Sequence, residues 1–564
     1  MEKYNVLKTD VLIIGGGAAG VRAAIEADVE SSDVLVASKG PLARSGLTPL
    51  AYPCFQAAAK AMDSRDNADI HYQDTVREGK GLADQNLVRV LADEAVSRFH
   101  DLKKFGVKFE TEHGKLFQAH FPGQTYPRNL LIVGGGFGLI SNLKNELRKH
   151  QRAKIIEDLC ISRLLTEGGE LAGAFGLSLQ DGQFYAIEAK SVVLACGGYE
   201  ALWGNNDGSA DSTGDGIYLA FEVEADIIDF EMTQYYPGVF AYPESLKGVD
   251  IQYETFLDKK YLDFKLLDKE GKEFLSEGPL PGRDVLMRAI FTEIEQGRGT
   301  EHNAVYVDPT RSSKSYEEID RWVKHFVKSP DKYWRKIGIN VRKDRIEICP
   351  AVHYTLGGIR INEQAETSVQ SLFAAGENSS NTHGANRIGG NSLAETQVFG
   401  ALAGKQASIC AKKNRWVGLS ERKIREEISH LNFFMEKKRD NVRPFVIMKE
   451  LRGLMDQYVG PNRNEGGLKI ALNKVLDLKL NALPNVQVGN ERIFNLDWSM
   501  AIETARALDL AEIVIRSAMF RKETRGHHYR SDFPRTLENP EHTLTKNRSG
   551  KIVLNYVPVN RLRR

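Results

Sequence analysis

The sequence predicts a doubly wound α/β protein with an inserted α+β lobe and a helical C-terminal region, and three observations carry that prediction. An apolar run, Thr9 to Ile14, is followed at once by Gly15-Gly16-Gly17-Ala18-Ala19-Gly20 and then by Val21 to Ala27, which reads as a helix. A second apolar run, Val34-Leu35-Val36-Ala37, comes at the distance of the next strand of a βαβ unit, whose strands lie parallel. The third is length: 564 residues exceed the roughly 250–300 at which one core stops growing, so several lobes and a deep ligand site fit.

Later elements follow in order. Residues 67–104 read as helical, with Leu87, Val88, Val90 and Leu91 marking a buried face. Ala153 to Ile156 and Glu188 to Ala195 return the chain to the sheet. Residues 238–348 mix aromatic and charged residues with turn glycines and the patch Gly278-Pro279-Leu280-Pro281-Gly282, the composition of an inserted lobe. The predicted division is 1–237 and 349–412 for the nucleotide-binding domain, 238–348 for the capping lobe, and 413–564 for a helical domain with a polar, Arg-rich tail.

Composition excludes several classes. A net charge of +1 offers no bulk attraction to nucleic acid or anionic lipid, and no run of about 18 apolar residues marks a membrane span. Cys54, Cys160, Cys196, Cys349 and Cys410 show no C-x-x-C spacing, which argues against zinc, an iron–sulfur cluster or a disulfide framework and for a reduced, cytoplasmic protein.

Gly15, Gly17 and Gly20 fit G-x-G-x-x-G where it has physical meaning, between a strand and a helix. The first glycine makes the turn, the second admits a pyrophosphate against bare backbone, and the third lets helix and strand pack. The domain is therefore read as Rossmann-like. Gly134-Gly135-Gly136-Phe137-Gly138 fails the same test, having Leu139 at the third position, and reads as a turn before a helix. Ser38-Lys39 ends the second strand where a ribose-binding acid would mark NAD.

Ser38-Lys39 also begins a series of segments that resembles the flavin-bearing subunit of the succinate dehydrogenase and fumarate reductase family. In order these are Arg44-Ser45, Ser212-Thr213-Gly214-Asp215-Gly216, Pro350 to Ile359 with its His-Tyr-x-x-Gly-Gly, Leu372 to Glu377, His383 to Leu393, and Arg525-Gly526-His527-His528. The resemblance implies FAD held by Gly15, Gly17, Ala18, Ala19, Gly20, Ser38, Lys39, Ser45, Gly46, Asp215, Gly376, Glu377, Arg387, Asn391, Ser392 and Leu393. Glu377 would accept hydrogen bonds from ribityl or ribose hydroxyls. The family's flavin-linking histidine aligns with Gly46, which has no nucleophile, so the FAD is expected to be non-covalent.

The resemblance further implies hydride transfer between flavin N5 and a carbon–carbon bond beside a carboxylate. Arg283, in Pro281-Gly282-Arg283-Asp284, would handle the proton, while His353 and Arg387 would grip the carboxylate. Two departures bear on substrate. Tyr236 in Gln234-Tyr235-Tyr236-Pro237 stands where the family carries histidine, and residues 252–266 lack its Thr-Glu-x-x-Arg-Gly-Glu-Gly run, so the second carboxylate grip looks rebuilt. L-aspartate oxidase, which oxidises a carbon–nitrogen bond, and the adenylylsulfate reductase flavoprotein are similar relatives and alternative readings; a non-catalytic flavin electron carrier is another. The implied partner is an iron–sulfur subunit or a soluble carrier, and the implied location is cytoplasmic, with the inner face of the membrane reached through a partner.

Overall fold

The computed structural model describes residues 2–275, 278–437 and 441–562. Strand Tyr4–Ile14 forms the middle of the main sheet, with Val34–Ala37 parallel on one side and Phe184–Leu194 parallel on the other. Ala153–Ile156 extends the first side, and Leu372–Ala374 lies parallel to the end of Phe184–Leu194. Val11 to Ile14 are buried, as a parallel strand covered on both faces must be. The sheet then departs from the all-parallel expectation: Glu170–Ser178 and Leu159–Glu167 continue it as an antiparallel meander.

Two helices lie against this sheet and against each other. A Cβ on Gly404 of helix Asn391–Lys413 would stand 2.1 Å from the Ala23 carbonyl oxygen of helix Ala18–Val29, and one on Gly400 2.7 Å from that of Ala19. Only glycine permits this backbone contact, which brings two helix N-termini onto one cavity. The helical stretch at 67–104 resolves into Ala68–Glu78 and Gln85–Lys104, each begun by a side-chain cap, Asn67 and Asp84. Gly134, left-handed at φ 82°, is the turn before helix Gly135–Leu147.

The inserted lobe carries an antiparallel sheet in the order Thr233–Tyr242, Ile346–Thr355, Val305–Asp308, Lys265–Leu267, with helices Arg283–Glu293, Tyr316–Phe326 and Lys328–Lys336. It has its own core, including Phe240, Phe256, Leu286, Trp334 and Ile348. The two longest strands cross the 237/238 and 348/349 divisions, so lobe and nucleotide domain are joined by a paired strand stalk that carries Tyr236 and His353 to the cavity.

Helices Glu421–Asn432, Pro444–Tyr458, Glu465–Asp477 and Leu496–Phe520 form the C-terminal region. The polar, Arg-rich tail contains two strands. Glu541–Arg548 and Lys551–Pro558 make a hairpin around Ser549-Gly550, both left-handed, and Thr543 and Thr545 point inward. A two-residue turn of left-handed residues and a run buried at every position from His542 to Thr545 are the physical reason. Arg563 and Arg564 lie outside the described residues. Among those residues no helix is long and apolar enough to cross a membrane, and all five cysteines are free.

Candidate active site

The cavity begins at the first strand–helix turn. Gly15 has φ 119°, and a Cβ there would stand 2.2 Å from the Ala195 carbonyl oxygen. A Cβ on Gly20 would stand 2.0 Å from the Gly15 carbonyl oxygen, so Gly20 sits behind the cavity and seats the helix. Gly15, Gly17, Ala18 and Ala19 line it. At Gly17 a Cβ would meet only Thr48 Oγ1, at 3.4 Å, which leaves backbone open to a ligand.

Ser38, Lys39, Ser45, Gly46 and Asp215 line the next stretch. Lys39 Nζ contacts Asp215 Oδ2 at 2.7 Å and Glu503 Oε1 at 2.9 Å, and Arg506 also binds Asp215. Burial opposes ionisation of Asp215, but Lys39 and Arg506 overcome it and hold the carboxyl below its usual range. These charges are satisfied within the protein.

Gly376, Glu377, Ser392 and Leu393 line the opposite wall. Glu377 Oε1 accepts the Thr355 N–H at 2.7 Å, and burial, then the adjacent Glu200, pushes its carboxyl well up. Gly390, φ 96°, opens helix Asn391–Lys413 toward the cavity. Asn391 is placed elsewhere than expected: its side chain bonds His71 Nε2 at 2.8 Å and Thr75 Oγ1 at 3.1 Å, fully buried behind the wall. The helical twist that turns Ser392 inward turns Asn391 outward.

At the far end the capping lobe closes over a polar chamber. His353 Nε2 lies 3.0 Å from Arg387 Nη2, and His353 Nδ1 lies 2.8 Å from Asp207 Oδ2. Gln234 clamps the Arg387 backbone, accepting its N–H at 2.8 Å and donating to its carbonyl at 3.2 Å. Arg283 starts helix Arg283–Glu293, and its Nη2 donates to Glu254 Oε1 at 2.7 Å. Tyr236 is buried with its hydroxyl given to Glu254 Oε2 at 2.8 Å and its ring 4.9 Å from that of His353. Arg283 Nη1 and Arg387 Nε are buried with no partner, although both residues line the cavity. Burial, then Arg283 and Arg387, push His353 down to about 3, so its imidazole is neutral.

The family description FAD binding domain matches residues 10–393, and the description fumarate reductase flavoprotein C-term matches residues 448–562. The chain belongs to the fumarate reductase and succinate dehydrogenase flavoprotein family. It is 37% identical, over 96% of its length and 98% of the relative's, to one of the subunits of the fumarate reductase (CoM/CoB) of Methanothermobacter marburgensis. It is 29% identical to the L-aspartate oxidase of Yersinia pestis, over 96% and 99%. The solved structure of Mycobacterium smegmatis Sdh1 in complex with UQ1 superposes with a TM-score of 0.89 at 31% identity, covering 99% of this chain and 95% of that one.

As a member of that family the protein is an FAD-dependent oxidoreductase. The residues present fit the cofactor: glycine backbone and the positive end of helix Ala18–Val29 suit a pyrophosphate, and the second helix N-terminus at Gly390 suits the polar edge of the flavin ring. The flavoprotein signature Arg525-Gly526-His527-His528 lies outside the cavity. There His527 donates its backbone N–H to the Ala385 carbonyl at 3.1 Å and its ring meets Asn386 Oδ1 at 3.1 Å, bracing the Arg387 segment from behind.

Sequence reasoning missed Glu254, Asp207, Asp250, Gln252 and Gln234. Glu254 lies inside the 252–266 stretch that lacks the family run, so an acid is supplied there by a short helix, Tyr253–Phe256. An acid between Tyr253 and Phe256, both apolar and buried, was the available signal.

Proposed function

We propose that the protein transfers a hydride between FAD and one carbon of a carbon–carbon bond next to a carboxylate, with Arg387 and His353 holding that carboxylate and Arg283 exchanging the proton at the neighbouring carbon. The observation that carries this reading is the pair of buried, unpartnered guanidinium N–H groups, Arg283 Nη1 and Arg387 Nε, lining one chamber. A buried charged donor left unpaired is costly, so these groups call for an anionic ligand.

FAD, when bound, supplies the two-electron chemistry. The protein's part is positioning and proton movement. Arg387 is set by the Gln234 clamp, and its guanidinium lies 4.4 Å from the Tyr354 ring centre, which fixes the plane of its N–H fork. Arginine does not give up a proton for long, so a proton leaving Arg283 must be replaced at once. Glu254, 2.7 Å away and hydrogen-bonded by Tyr236, is placed to relay the replacement, taking up a proton that comes from solvent and passing it to Arg283. Enclosure beneath the lobe keeps water from competing.

The reading extends to cofactor attachment and electron supply. Gly46 offers no nucleophile, so acid denaturation should release all the flavin and leave none on the polypeptide. This chain has no cluster of cysteines, and the Methanothermobacter relative is by name one component of a larger reductase, which supports exchange of electrons with a separate iron–sulfur subunit or soluble carrier. The deciding test is anaerobic addition of a panel of enoic acids to photoreduced protein, followed by flavin absorbance. Reoxidation by a carboxylate with a conjugated double bond supports the reading. Bleaching of the oxidised enzyme by an amino acid, with imine-derived product, would move the assignment to carbon–nitrogen oxidation.

A further inference from the structure

Arg283 and Glu254 line two cavities. One is the large cavity, and the other is a much smaller one with room for about one water molecule. Glu78 and Asn386 line the small cavity and not the large one, so Arg283 and Glu254 stand between them and the substrate chamber. Glu78 is the last residue of helix Ala68–Glu78. An acid there sits at the negative end of the helix dipole, where a cation is favoured, so helix stability does not account for it. Its Oε2 accepts from Asn386 Nδ2 at 3.2 Å and from Lys80 Nζ at 3.3 Å, and its Oε1 lies 3.7 Å from Arg77 Nε. Those partners explain its charge but not its place on the cavity wall. Gly282, the residue before Arg283, leaves the approach open: a Cβ there would stand 3.3 Å from Glu78 Oε2. The Glu78 side chain is 14% exposed and that of Glu254 4%, so the two carboxyls lead from the surface inward.

Resting on the reading that Arg283 exchanges the substrate's proton through Glu254, we propose that Glu78 is the outer station of that relay, passing one proton between solvent and Glu254 through a water in the small cavity. With substrate in the chamber, water is excluded from that side, and a proton bound for Glu254 has to come from behind. Glu78, Asn386, Glu254 and Arg283 give such a water both donors and acceptors. When a double bond is reduced, Glu78 takes a proton from solvent and gives one to the water, which gives one to Glu254. Glu254 gives one to Arg283, and Arg283 gives one to the carbon. Each station ends as it began, and one proton leaves solvent per turnover; desaturation runs the same steps in reverse.

The test is single-turnover reoxidation of the photoreduced, FAD-loaded protein, in light and heavy water, by whichever of fumarate, crotonate and cinnamate reoxidises the wild type fastest. Glu78→Gln should keep its flavin and its apparent affinity for that acid, react about tenfold slower or more, and show a larger solvent isotope effect. Glu78→Asp, which keeps a proton carrier, should recover most of the loss. Wild-type speed in Glu78→Gln, with Arg283→Lys slow, overturns the relay and leaves the reading of Arg283 standing. Wild-type speed in both variants overturns the two together, as does failure of all three acids to reoxidise the wild type. A slow Glu78→Gln with weakened affinity and an unchanged isotope effect marks a structural disturbance and also overturns the relay. Should Glu78→Gln hold no flavin, the wild type decides: its rate plotted against deuterium fraction should curve, as it does when several protons move together, and a straight line or no isotope effect overturns the relay.

Discussion

The two ends of the cavity are built on different rules. At the nucleotide end backbone faces the cavity at Gly15, Gly17 and the two helix N-termini, while the charged side chains Lys39, Asp215, Glu503 and Arg506 satisfy one another. At the other end side chains line the cavity, and several of their atoms are left without partners, including Arg283 Nη1, Arg387 Nε and Asp250 Oδ1. A backbone cradle is finished before its ligand arrives. A side-chain chamber is finished by its ligand, and so it alone can be retuned from one substrate to another.

The comparison breaks most visibly at the glycines. Gly20→Val drives a side chain into the Gly15 carbonyl oxygen, 2.0 Å from its Cβ, and nothing there is flexible; loss of soluble protein is the expected result. Gly17→Val meets only ordinary contact with Thr48 Oγ1 at 3.4 Å, so the fold should survive while the pyrophosphate site is blocked. Far-UV circular dichroism together with the flavin-to-protein ratio separates the two. Full flavin content in Gly17→Val would remove the case for a backbone cradle.

At the other end, Arg283→Lys should leave flavin content untouched and lower turnover by about 10²–10⁴-fold, the usual worth of a positioned proton-transfer group. Glu254→Gln should lower turnover too, because the paired carboxylate that reloads Arg283 is gone. Single-turnover reduction or reoxidation of the flavin is the measurement, and a rate within about threefold of wild type in Arg283→Lys would contradict the assigned role. Arg387→Lys comes next in size. It removes the forked donor set, and with charged hydrogen bonds worth about 1.5–3 kcal/mol the KM for the carboxylate should rise about 10–100-fold.

What the sequence disclosed follows the same division. The cradle was legible because its parts are adjacent: strand, Gly15 to Gly20 and helix occupy one stretch, and each glycine has a separate steric reason. Of the residues assigned to the cofactor, Asn391 is the one that helical geometry turns from the cavity toward His71, a matter of one position in register. The chamber was legible only where a residue sits in a longer recognisable segment, as His353 and Arg387 do. Asp207, Asp250 and Glu254 come from a loop, a strand-to-helix link and a short helix that meet only when the lobe folds, and an isolated acid has no period or motif to announce it. The C-terminal hairpin was missed for a related reason, its buried run His542 to Thr545 being short and mostly polar in type.

The smallest expected effect probes the contact between His353 and Asp207, and its sign is opposite for the two partners. His353 falls from 6.5 to about 3 on folding, chiefly through burial, so between those values the unfolded chain holds a proton that the folded protein lacks, and raising the pH adds stability. Asp207 rises from 3.8 to about 7, again chiefly through burial, so over that window the folded protein holds the extra proton and raising the pH removes stability. Where the windows overlap the two slopes oppose each other, because a neutral acid beside a neutral imidazole carries as many protons as the separated carboxylate and imidazolium. Denaturant unfolding at a series of pH values across that overlap should therefore show little slope from this pair in the wild type. Asp207→Asn leaves the histidine term alone, and stability should climb with pH by up to about 1.4 kcal/mol per unit, while His353→Gln should make it fall. Parallel slopes in the two variants would show that burial does not shift the two groups in opposite directions.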